Sequence, residues 1–224
     1  MRYRSGIIFG LMPSLPSLRR YWIGLALLCV VRPAAAQTRF EAWNYFDVQH
    51  RLGASTWTHA TAKLKWRNRG TPAWFYYGGE VGVQHAVLPR LRLGVNYILL
   101  RTAPGPRYFR DERVDLDGEA YLAQGFRNRV RYEYRWFRPA SGGVWRDRLL
   151  WVSPAERRVL RPEASFEFFY DPQLGRPSDQ RYAMGGTLTR LRLPVEVMYA
   201  YDRYALGSRW LGRNLLMTYL HVGR

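Results

Sequence analysis

The sequence contains one cysteine, only two lysines and no apolar run long enough for a membrane-spanning helix. Cys29 is the single cysteine among 224 residues, which excludes an intrachain disulfide and a metal site built from several thiolates. The apolar run at 21–31 has 11 residues, whereas a helix needs about 20 to span a bilayer. Apart from Lys63 and Lys65, every basic residue is arginine.

The N-terminal residues have the pattern of a secretory signal peptide. Arg19 and Arg20 precede the short apolar run, and the small residues Ala34-Ala35-Ala36 follow it. We therefore expect residues 1–36 to be a signal peptide that is cleaved after Ala36, with Met12 as an alternative start. Because five of the 35 basic residues and none of the 17 acidic ones lie in this segment, cleavage would lower the net charge from +18 to +13. Residues 37–224 are long enough for one domain.

The stretch RNRVRYEYRWF at 127–137 alternates strictly between two kinds of side chain. A period of two is the side-chain repeat of a β-strand, so one face of this strand is apolar and the other carries charge. On a helix the same charges would be spread around the whole circumference. The apolar face comprises Val130, Tyr132, Tyr134 and Trp136, and the charged face comprises Arg129, Arg131, Glu133 and Arg135.

The same alternation recurs along the chain, and no stretch after residue 36 has a helical period. Glycine- and proline-rich turns separate the alternating segments, which predicts an all-β protein. If these strands close into a barrel of the kind that single bacterial chains form, their number is even, so we expect ten or twelve of them. Eleven candidate strands are visible: 40–51, 56–67, 73–87, 90–101, 112–123, 126–138, 146–153, 162–171, 180–191, 194–205 and 211–222.

Two architectures fit these strands. A soluble sandwich turns its apolar faces inward, whereas an antiparallel transmembrane β-barrel turns them to lipid and its polar faces to the lumen. The abundance of Tyr, Trp and Phe on the apolar faces and the mixture of charge signs on the polar faces both favour the barrel. Short connections at 88–90, 123–126 and 193–194 alternate with longer ones at 103–112, 139–147 and 172–180, as expected for two unlike rims.

The hairpin at 113–136 predicts where the charges lie. A turn at 123–126 places Asp117 and Glu119 opposite 127–131, and opposite charges facing each other across two strands favour that register. The predicted lumen network is Asp115, Asp117, Glu119, Arg127, Arg129, Arg131, Glu133 and Arg135. The predicted lipid-facing residues are Val130, Tyr132, Tyr134, Trp136, Phe166 and Phe168.

A series of motifs also resembles a known family. Trp43 is followed by FRNRVRYEYRWF, WRDRLL, LRPEASFEFFYD and DQRYAMGGTL, in an order and spacing that extend over most of 40–222. This series resembles the bacterial exported proteins grouped as domain of unknown function 2490. The resemblance implies an outer-membrane β-barrel and implies no activity.

The histidine, serine and acidic residues show no arrangement that is typical of a catalytic site. His50 lies near Ser55, but no acidic residue is placed to orient the imidazole, so we expect neither a catalytic site nor an enzyme. His50, His59, His85 and His221 lack the spacing of metal ligands, and we expect no metal site and no cofactor. We expect no nucleic-acid partner, because the aromatic and basic residues lie on opposite strand faces.

These observations predict an exported protein of the bacterial outer membrane. Its expected partners are outer-membrane lipid, lipopolysaccharide and the outer-membrane assembly machinery; the oligomeric state is not predicted. The expected role is non-enzymatic, either a narrow pore with an Arg-rich lumen that favours anions or a plugged structural barrel. One alternative is a lipid-modifying or lipolytic barrel enzyme. Another is a surface-binding module that acts through the loops at 103–112 and 172–180.

Overall fold

A computed structural model describes residues 39–69, 71–102, 109–136, 142–154 and 159–223. The predicted signal peptide at 1–36 and most of the loop at 103–112 lie outside these ranges. Within them, no helix is long and apolar enough to cross a membrane.

The described chain forms eleven β-strands that close into one barrel in sequence order. All eleven candidate segments are strands, and the prediction of an all-β barrel is confirmed. The strands are β1 (Arg39–Arg51), β2 (Thr56–Arg69), β3 (Thr71–Leu88), β4 (Leu91–Thr102), β5 (Phe109–Ala123), β6 (Phe126–Trp136), β7 (Gly142–Val152), β8 (Leu160–Asp171), β9 (Arg176–Leu188), β10 (Val195–Leu206) and β11 (Arg209–Val222).

The expectation of ten or twelve strands is wrong. β1 and β7 both belong to the barrel, and β7 pairs directly with β8, so no further strand lies between them. In a chain that alternates direction, an odd number of strands makes the first and last run the same way. β1 and β11 accordingly pair in parallel, from Arg39 with Arg213 to Val48 with Val222, while the other ten pairs are antiparallel. The expected purely antiparallel sheet therefore has one parallel seam.

The odd strand number also places the start of β1 and the end of β11 at opposite rims. We call the rim where β1 begins the N-terminal rim and the rim where β11 ends the C-terminal rim. The predicted separation of long and short connections between rims is wrong. The C-terminal rim carries both the two-residue connection at 89–90 and the longer one at 153–159, and the N-terminal rim carries single-residue and six-residue connections. The predicted loop at 172–180 is only a turn at 172–175, because β9 already begins at Arg176.

Two glycines allow neighbouring strands to approach closely. A Cβ added to Gly78, whose φ is +154°, would lie 2.2 Å from the carbonyl oxygen of Leu99. A Cβ on Gly185 would lie 2.0 Å from the carbonyl oxygen of Val197. Since both contacts are with backbone rather than with a movable side chain, glycine is required at each position.

The alternation within each strand divides the barrel into two unlike faces. The outer face carries large exposed apolar side chains, such as Val81, Leu93 and Leu116, which are 56%, 48% and 53% exposed. The inner face carries both charged and apolar residues that are fully buried, including Asp115, Asp202 and Leu215 at 0% exposure. This distribution is the reverse of a water-soluble protein, whose charged residues are rarely buried.

Candidate functional site in the barrel interior

The eight predicted network residues all lie on the inner face of β5 and β6. The two strands pair with Asp117 opposite Arg131 and Glu119 opposite Arg129, as the hairpin predicted. They divide into a tightly bound group and a looser one toward the C-terminal rim. The tight group contains Asp115, Asp117, Arg131, Glu133 and Arg135, and the looser group contains Glu119, Arg127 and Arg129.

Arg131 joins the two aspartates of β5. Its Nε donates to Asp117 Oδ1 at 2.5 Å, its Nη2 donates to Asp117 Oδ2 at 2.8 Å, and its Nη1 donates to Asp115 Oδ2 at 2.6 Å. Asn96 of β4 also donates to Asp117 Oδ2. Because a planar guanidinium matches a carboxylate fork, this geometry is among the strongest that a buried ion pair can adopt. Arg131 thus fixes the register of β5 against β6.

Glu133 is the second centre of the network and is only 1% exposed. It accepts hydrogen bonds from Arg113 at 3.0 Å, from Arg135 at 2.8 Å and from Arg146 at 3.4 Å. These three arginines come from β5, β6 and β7. One carboxylate therefore ties three neighbouring strands together on the inner face, at a point from which water is excluded.

Glu167 of β8 is the third centre, and sequence reasoning missed it. Arg146 donates to its Oε1 at 2.5 Å and Arg181 donates to its Oε2 at 2.9 Å. Arg148 and Arg129 approach the same Oε1 at 3.8 Å and 4.0 Å, beyond hydrogen-bond length. Four guanidiniums thus surround one carboxylate. The alternation of arginine with Trp145, Asp147 and Leu149 in WRDRLL is a signal that could have placed Arg146 and Arg148 on this face.

Ion pairs continue around the rest of the wall. Asp202 of β10 accepts from Arg181 and from Arg213, and Arg213 also reaches Glu41 across the parallel seam at 3.4 Å. On the opposite side of the barrel, Glu80 binds Lys63. Glu80 also lies 3.2 Å from the Nε2 atom of His59, which is therefore part of a polar wall.

An aromatic and apolar cluster fills the space beside these ion pairs. Trp43 packs with Met198, Ala200, Leu215 and Met217, all of which are 5% exposed or less. Its ring also lies beneath cations that project from other strands. The cation-to-ring distances are 3.3 Å for Lys65, 4.8 Å for Arg181 and 5.5 Å for Arg213. Arg181 is on β9, so its side chain reaches a ring that is three strands away in the sheet. Such cation–π contacts place charge against an aromatic surface without a carboxylate.

The six predicted lipid-facing residues all lie on the outer face. Val130, Tyr134 and Trp136 are 37–40% exposed, and Phe166 is 38% exposed. Tyr132 and Phe168 are half-buried. The ring of Tyr132 packs against Trp145 of β7 with a centroid separation of 4.8 Å. Phe166 is similarly close to Tyr182 of β9, with a separation of 5.1 Å.

The histidines are dispersed around the barrel. In the ranges the structure describes, no three His, Cys, Asp or Glu side chains are grouped so that they could hold a metal ion. His50 lies exposed near the end of β1, and its side chain and that of Ser55 make no hydrogen bond with each other within those ranges. His85 instead lies 2.9 Å from Thr56, and His221 lies between Asp47 and Glu196 at 3.4 Å from each.

No family model, no curated protein and no solved structure matches this chain. The resemblance to domain of unknown function 2490 therefore stays a prediction.

Proposed function

We propose that this chain is a bacterial outer-membrane β-barrel of structural role, non-enzymatic and closed to ions. The observation that carries the proposal is the inside-out distribution of side chains. Large apolar residues cover the outer face, while carboxylates such as Asp115, Glu133 and Asp202 are buried inside. Lipid favours this arrangement, since every backbone group of a closed barrel is paired and every charge is kept from hydrocarbon.

The dimensions of the strands and the position of the aromatic residues support a membrane setting. Every strand has at least 11 residues, and about 9–11 suffice for a tilted strand to cross a bilayer. The ends of the strands at the N-terminal rim carry outward aromatic rings that are each more than a third exposed. Tryptophan and tyrosine concentrate at membrane–water interfaces, where the ring meets lipid and the polar tip meets headgroups. These residues are Trp74, Trp136, Trp145, Tyr170 and Trp210.

The interior supports a barrel whose lumen is plugged by side chains rather than an open pore. Ten strands contribute side chains that are 9% exposed or less near mid-height, so ion pairs on one wall meet the apolar cluster around Trp43 on the other. Cation–π contacts from Lys65 and Arg181 join the two regions through the lumen. A water-filled channel would leave these side chains hydrated. We therefore favour the plugged form of the two passive roles that the sequence predicts.

The proposed location is tested by fractionation. We expect the mature protein to begin at Gln37, as the sequence of residues 1–36 predicts, and to be recovered with the outer membrane. N-terminal sequencing of protein extracted from separated membranes measures both properties. Recovery of the mature chain in the soluble periplasm would contradict the proposal.

The closed lumen is tested by electrical recording in planar bilayers. Folded wild-type protein should give no steady conductance, because side chains fill the lumen. Trp43→Ala removes the ring under Lys65, Arg181 and Arg213 and should produce resolvable current steps. Trp145→Ala removes a tryptophan ring from the outer face instead, and this variant should give no current steps. Steady anion-selective current from the wild type would instead support the narrow pore.

A further inference from the structure

We infer that Arg129 and Arg148 form an oxyanion-binding site in the lumen, open toward the C-terminal rim, for a phosphate or similar group. We call these two residues the lumenal arginine pair. The inference concerns the inner face of the barrel and holds whether or not the barrel is closed to ions or lies in a membrane.

The register of β6 and β7 places two positive charges directly opposite each other. Arg129 pairs with Arg148 and Arg131 pairs with Arg146, so four guanidiniums project from one patch of the inner wall. Directly opposite residues of an antiparallel pair have Cα atoms about 4.5–5.5 Å apart. Like charges at that separation destabilise the pairing unless something neutralises them.

Two of these four arginines have close carboxylates. Arg131 is bound by Asp115 and Asp117, and Arg146 is bound by Glu133 and Glu167. Their side chains are 7% and 16% exposed. They are therefore satisfied by protein groups and available to no ligand.

The lumenal arginine pair differs in both respects. Among the described residues, its only carboxylate contacts are those of 4.0 Å and 3.8 Å with Glu167 Oε1, an atom that Arg146 already binds at 2.5 Å. The Nε of Arg148 is buried and has no hydrogen-bond acceptor within the described chain. Yet the two side chains are 25% and 21% exposed, so solvent and small solutes reach them. Two opposed guanidiniums that make no hydrogen bond to a carboxylate within the described residues, and whose side chains are partly exposed, are the elements of an oxyanion site.

The surroundings favour an anion of more than one negative charge. Arg127 lies two residues along the same face of β6 and is 31% exposed, and its only carboxylate contact among the described residues is with Glu119 at 3.9 Å. Farther along the rim, Arg92 stacks on Trp57 and Tyr121, and it has no carboxylate contact among the described residues. A tetrahedral oxyanion can accept two parallel bonds from a guanidinium fork, which a halide cannot do. The arrangement thus suits an oxyanion such as phosphate, whether free phosphate or the phosphate of a lipid headgroup.

The test compares inorganic phosphate with chloride at equal ionic strength, using folded full-length mature protein in detergent. Phosphate should raise the thermal midpoint of the wild type, because a ligand that binds only the folded state stabilises it. The Arg129→Gln, Arg148→Gln double variant should bind phosphate about tenfold more weakly or worse, since it loses both charged forks. Arg203→Gln removes an exposed arginine of β10 and should retain the full phosphate effect.

The sign of the stability change separates a ligand site from a structural one. In chloride, Arg129→Gln should leave the thermal midpoint unchanged or raise it, because it relieves repulsion from Arg148. In phosphate, the same variant should fall below the wild type. A midpoint lowered equally in both salts would show a purely structural arginine and overturn the inference. An equal response of wild type and double variant to phosphate would overturn it as well.

A second arm distinguishes the two sources of phosphate. Mixed micelles containing phosphatidic acid present the group on a lipid, while inorganic phosphate presents it free. Competition of inorganic phosphate with the lipid in the wild type, absent in the double variant, would identify a headgroup as a ligand. Stabilisation by free phosphate alone would identify a small soluble anion. Failure of both probes to stabilise the wild type more than chloride would refute the site.

Discussion

Replacing Arg131 by glutamine should destabilise the barrel by about 3–5 kcal/mol, the cost expected when one partner of a buried ion pair is removed. Arg131 supplies three hydrogen bonds to Asp115 and Asp117, and the two aspartates are 0% and 7% exposed. Without the guanidinium, Asn96 stays on Asp117, but the only cation left near Asp115 among the described residues is Arg113, whose Nε is 3.7 Å away. Two carboxylates would then share a buried site with too little positive charge.

The matched control is Arg129→Gln, two residues earlier on the same face of the same strand. Its guanidinium makes no contact with a carboxylate closer than 4.0 Å within the described residues, so its loss should change the free energy of unfolding by less than about 1 kcal/mol. Urea titration of both variants refolded into lipid vesicles, in chloride buffer without added phosphate, measures the difference. Similar costs at the two positions would mean that charge alone, and not the geometry around Arg131, stabilises this wall.

The contrast between Arg131 and Arg129 shows what the sequence can and cannot reveal. Alternation places both residues on one face of β6, and the turn at 124–125 sets the register that brings Asp117 opposite Arg131. These are local properties of one hairpin. Glu167 lies on β8, two strands away from Arg129, and the order of strands alone does not tell how far each side chain reaches into the lumen. Which of two neighbouring arginines has a close carboxylate partner is therefore visible only in the three-dimensional structure.

The strand count illustrates the same limit. All eleven strands are visible in the sequence, because each has its own alternation and its own bounding turns. The closure of the barrel is a long-range property, and the even-number rule led to the wrong expectation. The parallel seam depends on cross-seam contacts that local patterns do not specify. They include the stacked rings of Tyr45 and Tyr219, 4.4 Å apart, and the ion pair of Arg213 with Glu41.

The prediction that the outer face of the barrel meets lipid is tested most directly at Tyr132. Its side chain projects outward from the middle of β6, opposite Leu116 of β5 and Trp145 of β7. If this surface meets hydrocarbon, Tyr132→Arg places a cation near the bilayer midplane and should cost about 2–4 kcal/mol of folding free energy. Tyr132→Phe keeps the ring that packs on Trp145 and removes only the hydroxyl, so it should fold nearly as stably as the wild type.

The surrounding medium determines the result at this position, which separates a membrane barrel from a soluble one. Leu116 is 53% exposed, so an arginine at 132 has room to extend outward and need not disturb the interior. In water that arginine would be solvated and nearly neutral in its effect on stability. In lipid it has no such partner and pays the cost of leaving water. Unfolding of Tyr132→Arg in lipid vesicles at the same urea concentration as the wild type would therefore contradict the transmembrane assignment, because an outer face that tolerates arginine faces water.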